Sequence, residues 1–157
     1  PEIQSEVVVR ECAMAVLPPG HRFAQRQAIA LKELHAERFV SFGLTQSKLA
    51  RFLRDCCIEA GFTPKIEQEV VEVQTLLCLV RQGLGVALVP SSSQQLTTGG
   101  VVFKPLSGQP PEVSLYARFR TGDTSPVLRL FLDTVRQCAE VAVTQAPFTQ
   151  SSAQSAP

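Results

Sequence analysis

The sequence has no excess of charge of either sign, and it lacks clusters of basic residues. The 157 residues include 15 Lys and Arg and 14 Asp and Glu, which gives a formal net charge of +1. Proteins that bind nucleic acid usually present a basic face, because phosphate contacts supply much of the affinity. The balanced charge therefore argues against direct binding of DNA or of an anionic membrane by this chain.

Long apolar runs are also lacking. No stretch approaches the ~18 consecutive apolar residues that indicate a membrane-spanning helix. Residues 1–11 lack the charged segment followed by an apolar run that is typical of a signal peptide. Hydrophobic residues make up 45% and charged residues 18%, as in ordinary soluble globular domains. We therefore expect a cytoplasmic protein that makes no membrane contact.

The cysteines show neither a disulfide pattern nor a metal-binding pattern. They are Cys12, Cys56, Cys57, Cys78 and Cys138. Their number is odd and no C-x-x-C pair occurs, which argues against a disulfide framework and against a zinc site. We expect buried thiols in a reducing cytosol. The alternative for the adjacent pair is an oxidant sensor, although neighbours on a helix point in different directions.

Catalytic motifs are scarce. The two histidines, His21 and His35, lie in turn-like segments, and no G-x-S-x-G elbow is present. Two histidines and scattered carboxylates show no ligand spacing for a metal. We therefore expect neither enzymatic activity nor a metal or cofactor.

Hydrophobic periodicity alternates between the strand and the helix type. It predicts strands at residues 6–17, 38–42, 65–71, 85–89, 101–104 and 113–119. It predicts a helical turn at 31–35 and helices over 45–60, over 73–82 and from Pro126 onward. This alternation predicts an α/β fold with a largely parallel sheet. Residues 141–157, rich in Gln, Ser, Thr, Ala and Pro, are predicted to be disordered.

Local signals predict the helix ends and the packed faces. Thr45 or Ser47 can cap the first helix, and Gly83 suits the position after the second, while Gly85 allows a close helix–strand approach. The apolar face of the first helix is predicted to contain Leu49, Phe52, Leu53, Cys56, Cys57 and Ala60. That of the last helix is predicted to contain Val127, Leu128, Phe131, Leu132 and Val135.

Several segments resemble, in order and spacing, the sensor domain of LysR-type transcriptional regulators. Residues 17–23 (LPPGHRF) resemble the family's P-x-x-H-P-L turn, with Arg22 where proline is usual. Residues 31–34 (LKEL), 61–66 (GFTPKI) and 125–132 (SPVLRLFL) resemble three further motifs, and residues 79–90 (LVRQGLGVALVP) match a fourth in length and in both glycines. Residues 69–74 (EVVEVQ) are similar to the branch that senses muconate and other aromatic-degradation metabolites.

The resemblance implies a fold similar to type 2 periplasmic binding proteins, with one complete subdomain and part of the other. Residues 17–112 would form subdomain II. Residues 1–16 would be a crossover strand with a remnant of subdomain I, and residues 113–140 the returning strand and closing helix. The family's DNA-binding head and the first part of its sensor are expected to be absent from this chain.

The loop before the first helix is the main candidate for effector binding. Helix N-termini after strands suit carboxylates, and Thr45, Gln46, Ser47 and Lys48 add hydroxyl, amide and ammonium donors. The plain alternative is a helix cap beside a solvated lysine. By resemblance, Val73, between Glu72 and Gln74, faces the ligand cleft and Leu115 lines it. The alternatives are a packed helix entry for Val73 and ordinary core for Leu115.

The resemblance implies an effector-binding and oligomerisation domain, which senses a small, carboxylate or aromatic-derived metabolite. The expected partners are that effector and further copies of the chain, as a homo-dimer or tetramer, with DNA bound only by the head. A solute-binding protein of a transporter shares the fold, but the lack of a signal peptide argues against it. An α/β enzyme is the other alternative.

Overall fold

The computed structural model describes residues 2–96 and 99–144 of the chain, with side chains up to residue 139. The strands are β1 (Ile3–Leu17), β2 (Arg38–Phe42), β3 (Lys65–Val70), β4 (Ala87–Pro90), β5 (Val102–Pro105) and β6 (Glu112–Arg120). The helices are α1 (Lys48–Glu59), α2 (Val73–Arg81) and α3 (Pro126–Thr144), and 3-10 turns occupy Leu31–Ala36 and Ser91–Leu96. This mixture confirms the predicted α/β class.

Most predicted elements are present within a few residues of their predicted ends. β2 has the predicted bounds, and α1 begins three residues late because Ser47 is its N-cap. Gly61 (φ 98°) and Gly83 (φ 80°) follow α1 and α2 in the left-handed conformation expected after a helix. α3 continues to Thr144, four residues into the segment predicted to be disordered, whose remaining residues 145–157 lie outside the described ones. Within the described residues, no helix is long and apolar enough to cross a bilayer.

The chain divides into two compact units. One contains Glu11–Val113, and the other contains the described residues 2–10 and 114–144. β1 supplies residues to both units, because the 15-residue strand continues past the division. The predicted subdomain boundaries at 16/17 and 112/113 stay a prediction.

The prediction of a largely parallel sheet was wrong. β1 pairs antiparallel with β4, where Ala15 lies opposite Leu88, and antiparallel with β5. In the described strands, β2 and β3 pair parallel, and a parallel bridge joins Phe39 to Val86. The error has a physical reason: strand direction depends on pairings between residues far apart in sequence, and hydrophobic periodicity reports only which faces of each strand are buried.

Two apolar clusters form the core of the 11–113 unit. Successive residues of β4 alternate between them, because side chains of a strand point to opposite faces of the sheet. Leu88 belongs to the cluster that contains Leu34 and Leu53, and Val89 belongs to the one that contains Leu76. The short apolar strand is therefore covered on both faces, as its continuous apolar run predicts.

Gly85 allows a close contact between backbones. A Cβ at this position would lie 2.5 Å from the carbonyl oxygen of Arg38, and the same oxygen accepts a hydrogen bond from the N–H of Val86 at 2.8 Å. The predicted close approach is therefore present, but the neighbour is β2 and not a helix.

Some residues of the predicted apolar faces are exposed. Phe52 of α1 is 40% exposed, and on α3 Val127 and Phe131 are 76% and 56% exposed, while Leu132 is buried. The prediction that these residues share one packed face was wrong. Consecutive helix residues differ by roughly 100° around the axis, so Phe131 and Leu132 present different sides of α3.

The thiols differ in burial, and all five are free. Cys57 is buried, and this burial, with a smaller effect from Cys56, raises the pKa of its thiol to about 12. Burial also raises the pKa of Cys56. Cys78 and Cys138 are exposed, so the expectation of buried thiols was wrong for them. Each lies on the solvent side of an amphipathic helix.

Candidate functional site

The loop at residues 43–48 leaves the sheet at the carboxyl end of β2. The N–H of Gly43 donates to the carbonyl of Val70 at 3.1 Å, where the parallel neighbour β3 ends. In α/β sheets, ligands commonly bind beyond the carboxyl ends of parallel strands. The loop thus has the position that its place between a strand and a helix predicts.

Ser47 is the N-cap of α1. Its Oγ accepts a hydrogen bond from the N–H of Ala50 at 3.1 Å, and its own N–H donates to the carbonyl of Gly43 at 2.9 Å. The Ser47 side chain therefore caps the helix. This bond uses only the hydroxyl oxygen as an acceptor, and the hydroxyl group can still donate a hydrogen bond. The amides of Lys48 and Leu49 belong to the first turn, whose N–H groups have no intrahelical acceptor. Capping and ligand binding are compatible at this position.

The start of α1 is electropositive. Its first four residues include Lys48 and Arg51 and no acidic side chain. Helices usually have the reverse, because acidic side chains offset the positive N-terminal end of the macrodipole. Here the dipole and both cations contribute a positive potential at the loop, which favours an anion. Thr45, Gln46 and Lys48 have exposed side chains in this loop.

Two further side chains lie near the loop, and neither was predicted. Nη1 of Arg51 donates to the main-chain oxygens of Leu44 at 2.7 Å and Thr45 at 3.1 Å. Oε2 of Glu69 lies 3.6 Å from the point where a Cβ on Gly43 would sit. The sequence contains a signal for Arg51, since side chains in a helix tilt toward its N-terminus. It contains none for Glu69, whose position depends on the register of β3 against β2.

The other two predicted site residues have different surroundings. Val73 is the first residue of α2, which follows β3 at the same edge of the sheet, and its side chain is half-buried against the second core cluster. This packing agrees with the alternative role considered for it. Leu115 lies on β6 in the other unit and is 61% exposed, so it is not an ordinary core residue. The binding roles of all six predicted site residues stay predictions.

The histidines have contacts of a structural kind. Nδ1 of His21 accepts a hydrogen bond from the N–H of Phe23 at 3.2 Å, and its Nε2 lies 3.4 Å from Oε2 of Glu37. Nδ1 of His35 lies 3.0 Å from the carbonyl of Lys32. In the described ranges, no group of three His, Cys, Asp or Glu side chains is placed to hold a metal ion. The loop offers hydrogen-bond donors and positive charge.

Comparison with known proteins identifies a family for the chain. The profile of the LysR substrate binding domain matches residues 1–139. The chain is 31% identical over 138 residues to the Hca operon transcriptional activator HcaR of Escherichia coli (strain K12), an alignment that covers 87% of this chain and 47% of HcaR. The chain therefore spans about half the length of the curated relatives that it matches.

Solved structures share the fold. The BenM effector binding domain with its effector benzoate has a TM-score of 0.80 at 24% identity, and the match covers 94% of this chain and 68% of that one. The effector binding domain of QuiR in complex with shikimate has a TM-score of 0.74 at 20% identity, over 90% of this chain and 67% of that one. These domains show the predicted periplasmic-binding-protein-like fold. With a profile match over residues 1–139 of 157, the chain belongs to the LysR substrate-binding domain family.

Proposed function

We propose that the chain senses a small carboxylate metabolite on behalf of a bacterial transcriptional regulator, and that the carboxylate binds to residues 43–48. The relatives that match it are named as transcriptional regulators, which supports a sensory role without catalysis. The chain spans about half their length, so DNA binding belongs to another segment of the regulator. A regulator of this kind acts in the cytoplasm, where its DNA is.

The electropositive start of α1 is the observation that carries the proposal. A carboxylate offers about four lone-pair sites, and the loop has donors of matching number. These donors are the hydroxyl of Ser47, the first-turn amides and the ammonium group of Lys48, whose side chain is exposed. Hydrogen bonds that involve a charged group are shorter and stronger than neutral ones. The macrodipole adds to each of them.

The rest of the effector is aromatic or a compact ring. The ligands named with two similar domains, benzoate and shikimate, are both ring carboxylates, and residues 69–74 resemble the branch that senses aromatic-degradation products. Glu69 places a carboxylate beside Gly43, which could accept a hydrogen bond from a hydroxyl group of the effector. Half-buried Val73 offers an apolar contact at the same edge.

Binding changes the regulator by selecting one conformation. An effector shifts an equilibrium only by the difference in its affinity for the two states, so the loop must bind the effector more tightly in one state than in the other.

We also propose that the domain forms a homo-dimer or tetramer through α1, whose Phe52 and Ile58 are 40% and 49% exposed. Sedimentation velocity of a Phe52→Gln variant tests this, and an unchanged oligomer would contradict it.

A thermal-shift titration with benzoate and shikimate tests the sensor site. The variants are Lys48→Gln and, as a matched control, Lys65→Gln, which removes the same charge from an exposed lysine on β3 that pairs with Glu67 at 3.0 Å. A ligand at a hundred times its dissociation constant adds about 2.7 kcal/mol of stability. We expect a full shift in the parent and in Lys65→Gln and a reduced one in Lys48→Gln. Equal shifts in all three would contradict the assigned site, and no shift in the parent would contradict carboxylate sensing.

A further inference from the structure

Arg51 occupies a position that helix electrostatics disfavour. It is the fourth residue of α1, within the turn where the macrodipole opposes a cation. Its contacts explain why a cation is tolerated, since Nη1 donates to the carbonyl oxygens of Leu44 at 2.7 Å and of Thr45 at 3.1 Å. The guanidinium thus holds two consecutive peptide groups of the loop.

These two contacts set the direction of the loop amides. In a trans peptide group the C=O and the N–H point in opposite directions. Because the carbonyl of Leu44 faces Arg51, the N–H of Thr45 faces away from Arg51. The N–H groups of Gln46 and Ser47 donate to the carbonyl of Gly43 at 3.3 and 2.9 Å, which closes the turn. The loop is therefore held at both ends before any ligand arrives.

We propose that Arg51 is the positioning residue of the effector loop: it fixes residues 43–48 in the carboxylate-binding conformation without contacting the effector. This inference rests on the proposed carboxylate site. A loop that is ordered in advance loses less conformational freedom on binding. If loss of Arg51 left one molecule in ten in the competent conformation, the apparent dissociation constant would rise about tenfold.

Arg54 provides a matched control on the same helix. Its guanidinium pairs with Oδ1 of Asp55 at 2.7 and 3.0 Å and does not hold the loop carbonyls. Arg54→Gln therefore removes the same charge and the same side-chain type one turn away. Arg51→Lys keeps the charge but replaces the planar fork by a single ammonium group, so it should restore part of the function.

The test combines amide hydrogen exchange of the unliganded chain with benzoate titration. In Arg51→Gln we expect faster exchange at Gln46 and Ser47 and a benzoate dissociation constant about tenfold higher, by the population argument above. Arg54→Gln should match the parent, and Arg51→Lys should lie between. Unchanged exchange in Arg51→Gln, or equal effects in both glutamine variants, would overturn the proposal.

Two other outcomes separate this inference from the proposed function. Faster exchange in Arg51→Gln with unchanged benzoate affinity would overturn the positioning role while the carboxylate site stands. A parent chain that does not bind benzoate or shikimate would overturn the carboxylate site and the positioning role with it. In that case the exchange data would still show whether Arg51 holds the loop.

Discussion

Replacing Ser47 by Asp separates capping of α1 from ligand binding. Asp caps helices about as well as Ser, so the bond from the N–H of Ala50, 3.1 Å in the parent, should persist. The new carboxylate also offsets the macrodipole and the charges of Lys48 and Arg51, a gain of about 0.3–1 kcal/mol. We expect the free energy of unfolding of Ser47→Asp to equal that of the parent or to exceed it by about this amount.

The same substitution should weaken carboxylate binding. Two unit charges ~4 Å apart repel by about 1 kcal/mol in water and about 4 kcal/mol at the effective dielectric constant of a protein surface. The Ser47 side chain is partly exposed, so we take the lower value as the minimum. It corresponds to a benzoate dissociation constant at least about five times higher.

The assays are calorimetric titration with benzoate and thermal unfolding, and Ser47→Asn is the control. Asn caps a helix as well as Asp does but adds no charge, so it should keep the stability near that of the parent. Both variants lack the Ser47 hydroxyl, so the difference in benzoate affinity between them isolates the effect of the added charge. If Ser47→Asp binds benzoate as tightly as Ser47→Asn, the reasoning about an anion site at the start of α1 is refuted. A stability of Ser47→Asp well below that of Ser47→Asn would refute the argument from the helix dipole.

Three further predictions concern packing, reactivity and pH. Gly85→Ala should lower the melting temperature strongly, because its Cβ would lie 2.5 Å from a strand carbonyl oxygen. Iodoacetamide at pH 8 should label Cys78 and leave Cys57 unlabelled in the native protein, because Cys57 is buried and its thiol has a pKa of about 12. A hydrogen bond from Arg136 lowers the pKa of Glu6, so its stabilising effect is present above the ordinary pKa of Glu and is lost as the pH falls through the lowered value.

Each of these predictions has its own control or contrary result. Gly43→Ala has a nearest neighbour at 3.6 Å and should be tolerated, so equal melting temperatures for the two glycine variants would contradict the packing argument. Cys57 should become labelled when the protein unfolds. If Cys57 is labelled as fast as Cys78 in the native protein, the burial argument is contradicted. NMR titration should show the pKa of Glu6 returning toward its ordinary value in Arg136→Gln, and no change would exclude the assigned cause.

Much of the local structure follows from residues a few positions apart. The bounds of β2, the cap at Ser47 and the left-handed Gly83 agree with prediction, because a cap or a glycine turn involves only the backbone beside it. The family was also recognisable from the sequence, since short motifs recur in order along the chain. The alternation of elements predicted the α/β class for the same local reason.

The candidate site was predicted only in part. The sequence predicted a polar loop between a strand and a helix, and residues 43–47 do lie between β2 and α1. The binding roles assigned to its side chains stay predictions. The sequence did not show that Arg51 holds the loop carbonyls or that Glu69 lies beside Gly43. The first contact depends on how the turn closes, and the second on the register between β2 and β3. Neither feature has a signature within a few residues.

The sequence by itself determined the order and approximate bounds of the elements, the cap at Ser47 and the family. Tertiary structure alone decided that β1 pairs antiparallel with β4 and β5. It also decided that Phe52 and Val127 are exposed. The physical reason is the sequence distance over which each effect acts. Helix propensity and capping act over one or two helical turns, whereas strand direction and burial depend on which segments, distant in sequence, pack together.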